Sequence, residues 1–242
     1  MIDKRKILCI LGVVIILFSL FSVKKVQDEA VDSAAKASVN NYPLIIIDAG
    51  HGGLDGGAVA ADGTVEKTIN LDIAMKLNEV FSLFGFNTLM TRTSDDSIHS
   101  PEASSIRQKK VSDIHNRFKI IDEHPDAVFI SIHQNKFEQS QYYGTQVFYS
   151  PNNIKSNVMA ECIQESVKTL LQNENQRKCK KSGTEIYLLY HSEIPSVMVE
   201  CGFVSNVNEL KKLKNTEYQK QMAVSIFCGS LNYFSSDHQD EF

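Results

Sequence analysis

Four polar side chains stand at positions where they could carry out chemistry together: His51, His133, Glu66 and Glu200. His51 lies in the glycine-rich loop 48–53, directly after a strand-like apolar run, and His133 lies at the end of another such run. Glu66 precedes the first long predicted helix, and Glu200 follows the last predicted strand. Because ligands gather at the carboxyl edge of the strands in open α/β sheets, we expect these four side chains to converge.

Each of these residues also has an ordinary structural explanation. A single histidine is more often a satisfied structural residue than a ligand, and Glu66 could simply favour the positive N-terminal end of its helix. Glu200 is harder to explain in this way, because it lies inside the apolar stretch 197–203, where an unpaired carboxylate is costly. The coincidence of four such residues at one predicted sheet edge therefore favours a functional site.

Two imidazoles and two carboxylates are the components of a catalytic zinc site. Such sites use three protein ligands and keep one position open, and two histidines with one glutamate form a known ligand set. The remaining carboxylate would act as the base, while a bound ion would lower the pKa of water and polarise a carbonyl group. This chemistry predicts hydrolysis of an amide.

Other motif interpretations fit less well. Residues 50–57 do not match GxGxxG, since Asp55 stands at the third glycine position, and no lysine completes a phosphate-binding loop. The HExxH motif of helical zinc proteases is absent from the sequence. A nucleophilic pair of Cys201 and His133 remains an alternative, but it leaves the other histidine and the glycine-rich loop unexplained.

The elements that would position these residues alternate between strands and helices. Apolar or β-branched runs predict six strands, at residues 44–47, 86–91, 127–133, 144–150, 186–189 and 196–199. Apolar residues at helical spacing predict five helices, at residues 69–84, 111–121, 158–171, 206–213 and 218–234. Nearly continuous apolar strands indicate a sheet buried on both faces. We therefore predict a single α/β domain with a mostly parallel, twisted sheet of about six strands covered by helices on both faces.

Composition excludes several classes of protein. The 242 residues include 43% hydrophobic and 22% charged residues, which is typical of a globular chain and argues against disorder or collagen. The net charge of −4 lacks the basic excess of a general nucleic-acid binder, so we expect no nucleic-acid partner. The five cysteines show no CxxC spacing, which argues against a zinc ribbon or a disulfide framework.

The N-terminus indicates an extracytoplasmic protein. Lys4, Arg5 and Lys6 precede the apolar run 7–23, whose length as a helix would be about 25 Å, against a hydrocarbon thickness of roughly 30 Å. We expect residues 1–25 to form a membrane anchor or, as the alternative, a cleaved signal segment. Residues 26–41 are polar and rich in Ala and Ser, which predicts a tether, and residues 42–242 would form the catalytic domain.

Six sequence blocks in this order resemble the zinc-dependent N-acetylmuramoyl-L-alanine amidases. They are IIIDAGHGG, VEKTINLDIAMKL, LMTRTSD, VFISIHQN, Gly144 with its following strand, and PSVMVECGFVSNVNEL. The resemblance covers roughly residues 44–234. It implies that His51, Glu66 and His133 bind Zn²⁺ and that Glu200 is the catalytic acid/base. It also suggests substrate contacts for Arg92, which could equally form a structural ion pair, and for Asn135.

The resemblance implies cleavage of the amide between the lactyl group of N-acetylmuramic acid and L-alanine in peptidoglycan. A short chain without cell-wall-binding repeats is most similar to the spore-cortex, germination-associated branch, in which this cleavage is the first step of muramic-δ-lactam formation. The protein would then act in the cell wall or between the forespore and mother-cell membranes. Alternatives are a vegetative cell-wall or division amidase, and a catalytically silent peptidoglycan-binding protein.

Two further expectations concern partners. An accessory activating protein is suggested by the lack of a separate wall-targeting module. The basic cluster formed by Arg177, Lys178, Lys180 and Lys181 is most simply a solvated loop, and its alternative is a docking surface for a protein or an anionic polymer.

Overall fold

The computed structural model describes residues 42–237 of the chain. The predicted membrane anchor or signal segment at residues 1–25 and the tether at residues 26–41 lie outside the described residues. Within residues 42–237, no helix combines the length and the apolar character needed to cross a bilayer.

Six strands form one sheet. Their bounds are β1 Ile45–Ala49, β2 Thr88–Met90, β3 Val128–Asn135, β4 Gln146–Tyr149, β5 Lys180–Lys181 and β6 Ser196–Phe203. The strand order is β2-β1-β3-β6-β4-β5, and only the β4–β6 pair is antiparallel. The predicted α/β domain with a mostly parallel sheet of six strands is confirmed. The central strands β1, β3 and β6 position His51, His133 and Glu200, respectively.

Six helices within residues 42–237 accompany the sheet. Their bounds are α1 Glu66–Leu83, α2 Ile106–Asp122, α3 Ile154–Leu170, α4 Tyr187–His191, α5 Val207–Leu213 and α6 Thr216–Asp237. Helices α1, α3, α5 and α6 cover one face, where they bury the larger apolar core with Ile45, Ile47 and Ile130 of the sheet. Helices α2 and α4 cover part of the other face, around Ile46 and Phe129. Helices therefore lie on both faces, as predicted, and the smaller cover on the second face leaves room for a site.

The predicted strand at residues 186–189 is wrong, because this segment belongs to the short helix α4. Leu188 and Leu189 are both buried in the smaller core, and a brief apolar run of this kind does not distinguish a strand from a buried helical turn.

The sixth strand is instead Lys180–Lys181, which lies within the basic cluster that we expected to be a loop. It pairs with Phe148 and Tyr149 at the edge of the sheet, and both lysines are exposed. An exposed edge strand buries no side chain, so it leaves no apolar pattern in the sequence.

Two strands extend further than predicted. Strand β3 continues to Asn135 and strand β6 to Phe203, so His133 and Glu200 lie within strands. The two residues are directly paired in the parallel register. Their side chains therefore stand on the same face of neighbouring strands, at a separation set by the roughly 4.8 Å strand spacing.

Candidate metal centre

The three predicted ligands meet at the carboxyl edge of the sheet. His51 Nε2 lies 3.4 Å from Glu66 Oε2, and His133 Nδ1 lies 3.0 Å from Glu66 Oε1. One donor atom from each of the three residues lies within 4.8 Å of the others. The two imidazole rings are 4.8 Å apart between centroids and nearly perpendicular. Residues that are remote along the chain therefore form a single cluster.

Backbone geometry places His51. It has a φ of +62°, the left-handed region that non-glycine residues rarely adopt, immediately after β1. Its carbonyl oxygen accepts a 2.6 Å hydrogen bond from Arg117 Nη2 of helix α2. Gly57 approaches so closely that a Cβ atom there would lie 2.5 Å from both the His51 ring and Glu66 Oε2. The glycine-rich loop is needed because its backbone packs directly against the ligands.

The Glu66 carboxylate is held as an anion by its surroundings. It accepts hydrogen bonds from the backbone amides of Ala58 at 2.7 Å and Gln134 at 3.0 Å, and from Asn70 Nδ2 at 3.1 Å. Burial alone would raise the pKa of Glu66, but hydrogen bonds and charge interactions with the two imidazoles hold it well below its usual range. Glu66 is therefore available as an ionised ligand.

Asp55 sets the orientation of His51. The Nδ1 atom of His51 lies 2.9 Å from Asp55 Oδ2, while Nε2 faces Glu66. Donation of the Nδ1 proton to Asp55 leaves Nε2 free to bind an ion. Lys110 Nζ of helix α2 forms a 2.7 Å ion pair with the other Asp55 oxygen. Burial would lower the pKa of His51, but Asp55 and Glu66 raise it to about 9.

His133 presents the opposite nitrogen. Its Nδ1 atom faces Glu66, whereas Nε2 packs against Gly50, where a Cβ atom would lie 2.1 Å from that nitrogen. The absence of a side chain at residue 50 therefore makes room for the ring. The arrangement assigns Nδ1 of His133 and Nε2 of His51 as the nitrogens that would bind the metal ion.

Glu200 lies beside this cluster and has a different environment. Its Oε2 atom is shielded from solvent and has no hydrogen-bond partner among residues 42–237. Burial raises the pKa of Glu200 to about 7, and the neighbouring histidines oppose that shift only in part. A carboxyl group with a pKa near neutrality can both accept and donate a proton, which suits a general acid/base.

The alternative pair of Cys201 and His133 is contradicted by the fold. Cys201 is completely buried in the larger core, on the face of β6 opposite to Glu200. Burial raises the pKa of its thiol far above the usual range. The side chain is a small core residue, and the nucleophile hypothesis is dropped.

A buried polar network around Asp48 and Arg117 stabilises the start of the loop that carries His51. Arg117 is 2% exposed and forms ion pairs with Asp48 at 2.5 Å and Asp113 at 2.7 Å. Asp48 also accepts hydrogen bonds from the hydroxyls of Thr91 and Ser131. Burial alone would raise the pKa of Asp48, but Arg117 and these hydroxyls lower it to about 2. The network ties helix α2 to β1 at the residues just before His51.

Arg92 and Asn135, the two expected substrate contacts, are held by backbone groups next to the cluster. Arg92 is 4% exposed, and its guanidinium donates to the carbonyl oxygens of Ala49, Ser94, Gly50 and Lys67. This geometry braces the loop that carries His51. Asn135 is half-buried at the end of β3, and its carbonyl oxygen accepts a hydrogen bond from the Val204 amide.

An open cavity of about 340 Å³ adjoins the cluster. His51 and His133 line it on one side, and residues of α2 and of the start of α4 line it as well, including Lys110 and Tyr187. Its mixed apolar and polar lining can receive part of a substrate next to the ligands.

The donor set fits zinc. Two imidazole nitrogens and one carboxylate oxygen match the ligands of catalytic zinc sites, and two of the three are oriented by further hydrogen bonds. The unpartnered Oε2 of Glu200 adds a desolvated carboxylate at the side of the cluster. This set can hold a divalent ion and move protons next to it.

The sequence analysis gave no role at this centre to three residues: Asp55, Arg117, and Arg177, whose guanidinium stacks on Phe203 at the end of β6. Asp55 stands four residues after a predicted ligand, which is a detectable signal for a carboxylate that orients a histidine. Arg117 is a charged residue between the apolar helix positions Ile114 and Phe118, and such a position indicates a buried partner. Nothing in the local pattern distinguishes Arg177 from its lysine neighbours.

Comparison with known proteins is consistent with this geometry. Residues 45–231 match the family model described as N-acetylmuramoyl-L-alanine amidase. The germination-specific N-acetylmuramoyl-L-alanine amidase of Bacillus subtilis (strain 168) is 32% identical over 192 residues, which cover 79% of this chain and 80% of that protein.

Solved structures show the same architecture. The CwlD amidase from Clostridioides difficile, in complex with the GerS lipoprotein, has a TM-score of 0.77 and 42% sequence identity, covering 80% of this chain and 99% of that one. The amidase AmiC2 of Nostoc punctiforme has a TM-score of 0.69 and 27% identity, covering 80% of this chain and 97% of that one.

Proposed function

The chain belongs to the family of N-acetylmuramoyl-L-alanine amidases, enzymes that act on peptidoglycan, and from that premise we propose that it works as a zinc hydrolase. His51, Glu66 and His133 hold the ion, and Glu200 is the catalytic acid/base. The observation that carries the proposal is the set of three donor atoms within 4.8 Å of one another, beside a carboxylate oxygen without a partner in the described chain.

The reaction breaks the amide bond between the lactyl carbonyl carbon of N-acetylmuramic acid and the nitrogen of L-alanine. When bound, zinc supplies Lewis-acid polarisation of the carbonyl group and lowers the pKa of water. Glu200 Oε2 accepts a proton from the attacking water and donates it to the departing nitrogen. Water is thereby divided between a lactyl carboxyl group and a free peptide amine, and no other reactant is needed.

The surrounding residues keep the reacting groups in place. Asp55 holds the Nδ1 proton of His51, and the Ala58 and Gln134 amides hold the Glu66 carboxylate. Two of these contacts come from backbone amides and the third from Asp55 in the loop that also carries His51, and together they orient the ligand atoms of His51 and Glu66.

We further propose that the enzyme acts on spore cortex, where amide cleavage is the first step of muramic-δ-lactam formation. The support is its similarity to a germination-specific amidase and to CwlD. A separate deacetylase would free the amine that closes the lactam. A vegetative or division amidase and a catalytically silent binding protein are the competing functions.

Location and partners follow from the same proposal. The protein would act outside the cytoplasm, anchored or secreted through residues 1–25, between the forespore and mother-cell membranes or in the cell wall. The related CwlD structure is a complex with a lipoprotein, which supports an accessory partner for this chain as well.

Metal analysis and mass spectrometry of digestion products test the enzymatic proposal. The wild type should contain one zinc ion and release stem peptides with a free L-alanine amine. His51→Ala should lose both properties, whereas Glu200→Gln should keep zinc and lose hydrolysis. The control is His124→Ala, since His124 follows helix α2 at the opposite edge of the sheet, where its ring Nδ1 lies 2.8 Å from the Ile120 carbonyl oxygen. Undiminished turnover by Glu200→Gln would refute the role assigned to Glu200.

A second comparison tests the biological substrate. Purified cortex and vegetative peptidoglycan are digested in parallel, and the products are identified by mass spectrometry. The cortex proposal expects faster release from cortex, together with loss of muramic-δ-lactam from spores that lack the protein. Equal rates and normal lactam content would instead favour the vegetative role.

A further inference from the structure

Arg177 precedes the edge strand β5, and its guanidinium lies on the face of the sheet that carries the Glu200 side chain. Its Nη2 atom donates a 2.5 Å hydrogen bond to Gln146 Oε1. Gln146 is the antiparallel register partner of Glu200, so the two side chains point to the same face. The guanidinium therefore lies about one strand spacing, roughly 5 Å, beyond the strand that carries Glu200.

The guanidinium is positioned but not neutralised. It stacks over Phe203, with its central carbon 4.8 Å from the ring centroid. Its Nε atom is shielded from solvent and has no hydrogen-bond partner among residues 42–237. The Nη2 atom bonds a neutral amide oxygen, and no carboxylate of that range forms an ion pair with the guanidinium. Desolvation lowers the pKa of Arg177, while the charges of Glu209 and Glu200 partly oppose that shift. An arginine in this state has unused capacity to bind an anion.

The other cations around the centre are already engaged. Lys67 pairs with Asp95, and Lys110 pairs with Asp55. The Lys136 ammonium donates to the Val59 carbonyl oxygen and is exposed to solvent. Arg117 is enclosed by its two aspartates, and Arg92 by four carbonyl oxygens, as described above.

Phe203, which contacts Arg177, belongs to a cluster of aromatic side chains. Phe137 and Tyr142 are each 40% exposed, and both rings lie within 6.3 Å of Phe203, centroid to centroid. Such a surface excludes water on one side of the guanidinium, which strengthens an ion pair formed there.

Resting on the proposed amidase function, we propose that Arg177 binds a carboxylate of the stem peptide and so sets the peptide specificity of the site. The second stem residue is joined through its side-chain carboxyl group and therefore keeps a free α-carboxylate. That carboxylate stands about two residues, roughly 7 Å, from the scissile amide. A peptide that left the metal centre across β6 toward β4 would carry this carboxylate in the direction of Gln146 and Arg177.

The test uses two muramoyl tripeptides that differ only at this carboxylate, which is free in one substrate and amidated in the other. Arg177→Gln should lower kcat/KM for the free-carboxylate substrate by about tenfold to a hundredfold, mainly through KM, since a charge-assisted hydrogen bond is lost. The amidated substrate should change by less than about threefold. Arg177→Lys should fall between, because it keeps the charge without the planar fork.

Lys178→Gln is the matched control. It removes the same charge from the next residue, which is exposed, and should leave both substrates unchanged. Zinc content and circular dichroism verify that each variant is folded. An equal loss of kcat/KM for both substrates in Arg177→Gln would show a structural role and overturn the inference.

Two measurements on the wild type test the inference even if the Arg177→Gln variant does not fold. The wild type should prefer the free-carboxylate substrate by about tenfold or more, and the lack of any preference overturns the inference even if Arg177→Gln fails to fold. Binding of the released tripeptides is measured by calorimetry, since these peptides contain no scissile bond. Carboxylate-dependent binding without hydrolysis would reject the amidase proposal while leaving the role of Arg177 intact.

Discussion

Replacing Asp55 by asparagine perturbs the proposed zinc centre without changing any of its three proposed ligands. Asp55 Oδ2 accepts the Nδ1 proton of His51 at 2.9 Å, and its other oxygen pairs with Lys110 at 2.7 Å. Asparagine keeps an acceptor of the same shape and removes the negative charge. The expected result is weaker zinc binding, because the carboxylate makes the opposite nitrogen of His51 a better donor.

The magnitude follows from the kind of hydrogen bond. A charge-assisted bond contributes about 1.5–3 kcal/mol and a neutral one about 0.5–1.5 kcal/mol, so Asp55→Asn should lose about 1–1.5 kcal/mol. The side chain of Asp55 is 27% exposed, and solvent screening favours the lower end of this range. The zinc dissociation constant should therefore rise about fivefold. Asp55→Ala removes the acceptor as well and should raise it by about thirtyfold to a hundredfold.

Competition with a chromophoric chelator measures the zinc affinity of each variant at one pH and ionic strength. The matched control is Asp62→Asn, since Asp62 is an exposed aspartate that forms a 2.8 Å ion pair with Lys214, away from the metal centre. This control should bind zinc like the wild type. Unchanged affinity in both Asp55 variants, or an equal loss in the control, would refute the argument that Asp55 orients His51.

Three other perturbations have defined outcomes. Arg117→Met leaves the buried Asp48 without its cation and should cost about 3–5 kcal/mol of unfolding free energy, or roughly 6–20 °C in the melting temperature of the metal-free protein; a loss below about 1 kcal/mol contradicts the buried network. The pKa of Asp48 is lowered from 3.8 to about 2, so the stabilisation that the ionised carboxylate contributes is present above about pH 4 and is lost as the pH falls toward 2. Acid titration of the wild type should therefore lower the free energy of unfolding in that window, and Asp48→Asn should lack this loss. Gly57→Ala should weaken zinc binding because its Cβ would lie 2.5 Å from Glu66 Oε2, whereas Gly63→Ala, at a similarly positive φ but in open space, should reduce only thermal stability. Equal zinc affinities of the two alanine variants would show that the close approach of residue 57 is unimportant.

The parts of the fold that bury apolar surface could be predicted from the sequence. The central strands appeared as β-branched runs because both of their faces are covered, and the long helices appeared through their apolar spacing. Strand Lys180–Lys181 and helix Tyr187–His191 were missed for opposite reasons. The first buries nothing, and the second is too short for its period to be read.

The candidate site shows the same division. That His51, Glu66, His133 and Glu200 belong together followed from their types and from their places at strand and helix ends, because parallel strands bring their carboxyl ends to one edge. Their individual roles came from the family resemblance and remain proposals.

By itself, the sequence determined the α/β class, the edge of the sheet that carries the chemistry and the residue types gathered there. Only the tertiary structure decided which imidazole nitrogen faces Glu66, which carboxylate oxygen has no partner in the described part of the chain, and which distant cation pairs with each buried aspartate. Arg117 and Asp48 are 69 residues apart, and their contact depends on how helix α2 packs against β1. Local patterns report burial and backbone preference, whereas hydrogen-bond direction and charge pairing depend on groups that only the packed chain brings within reach.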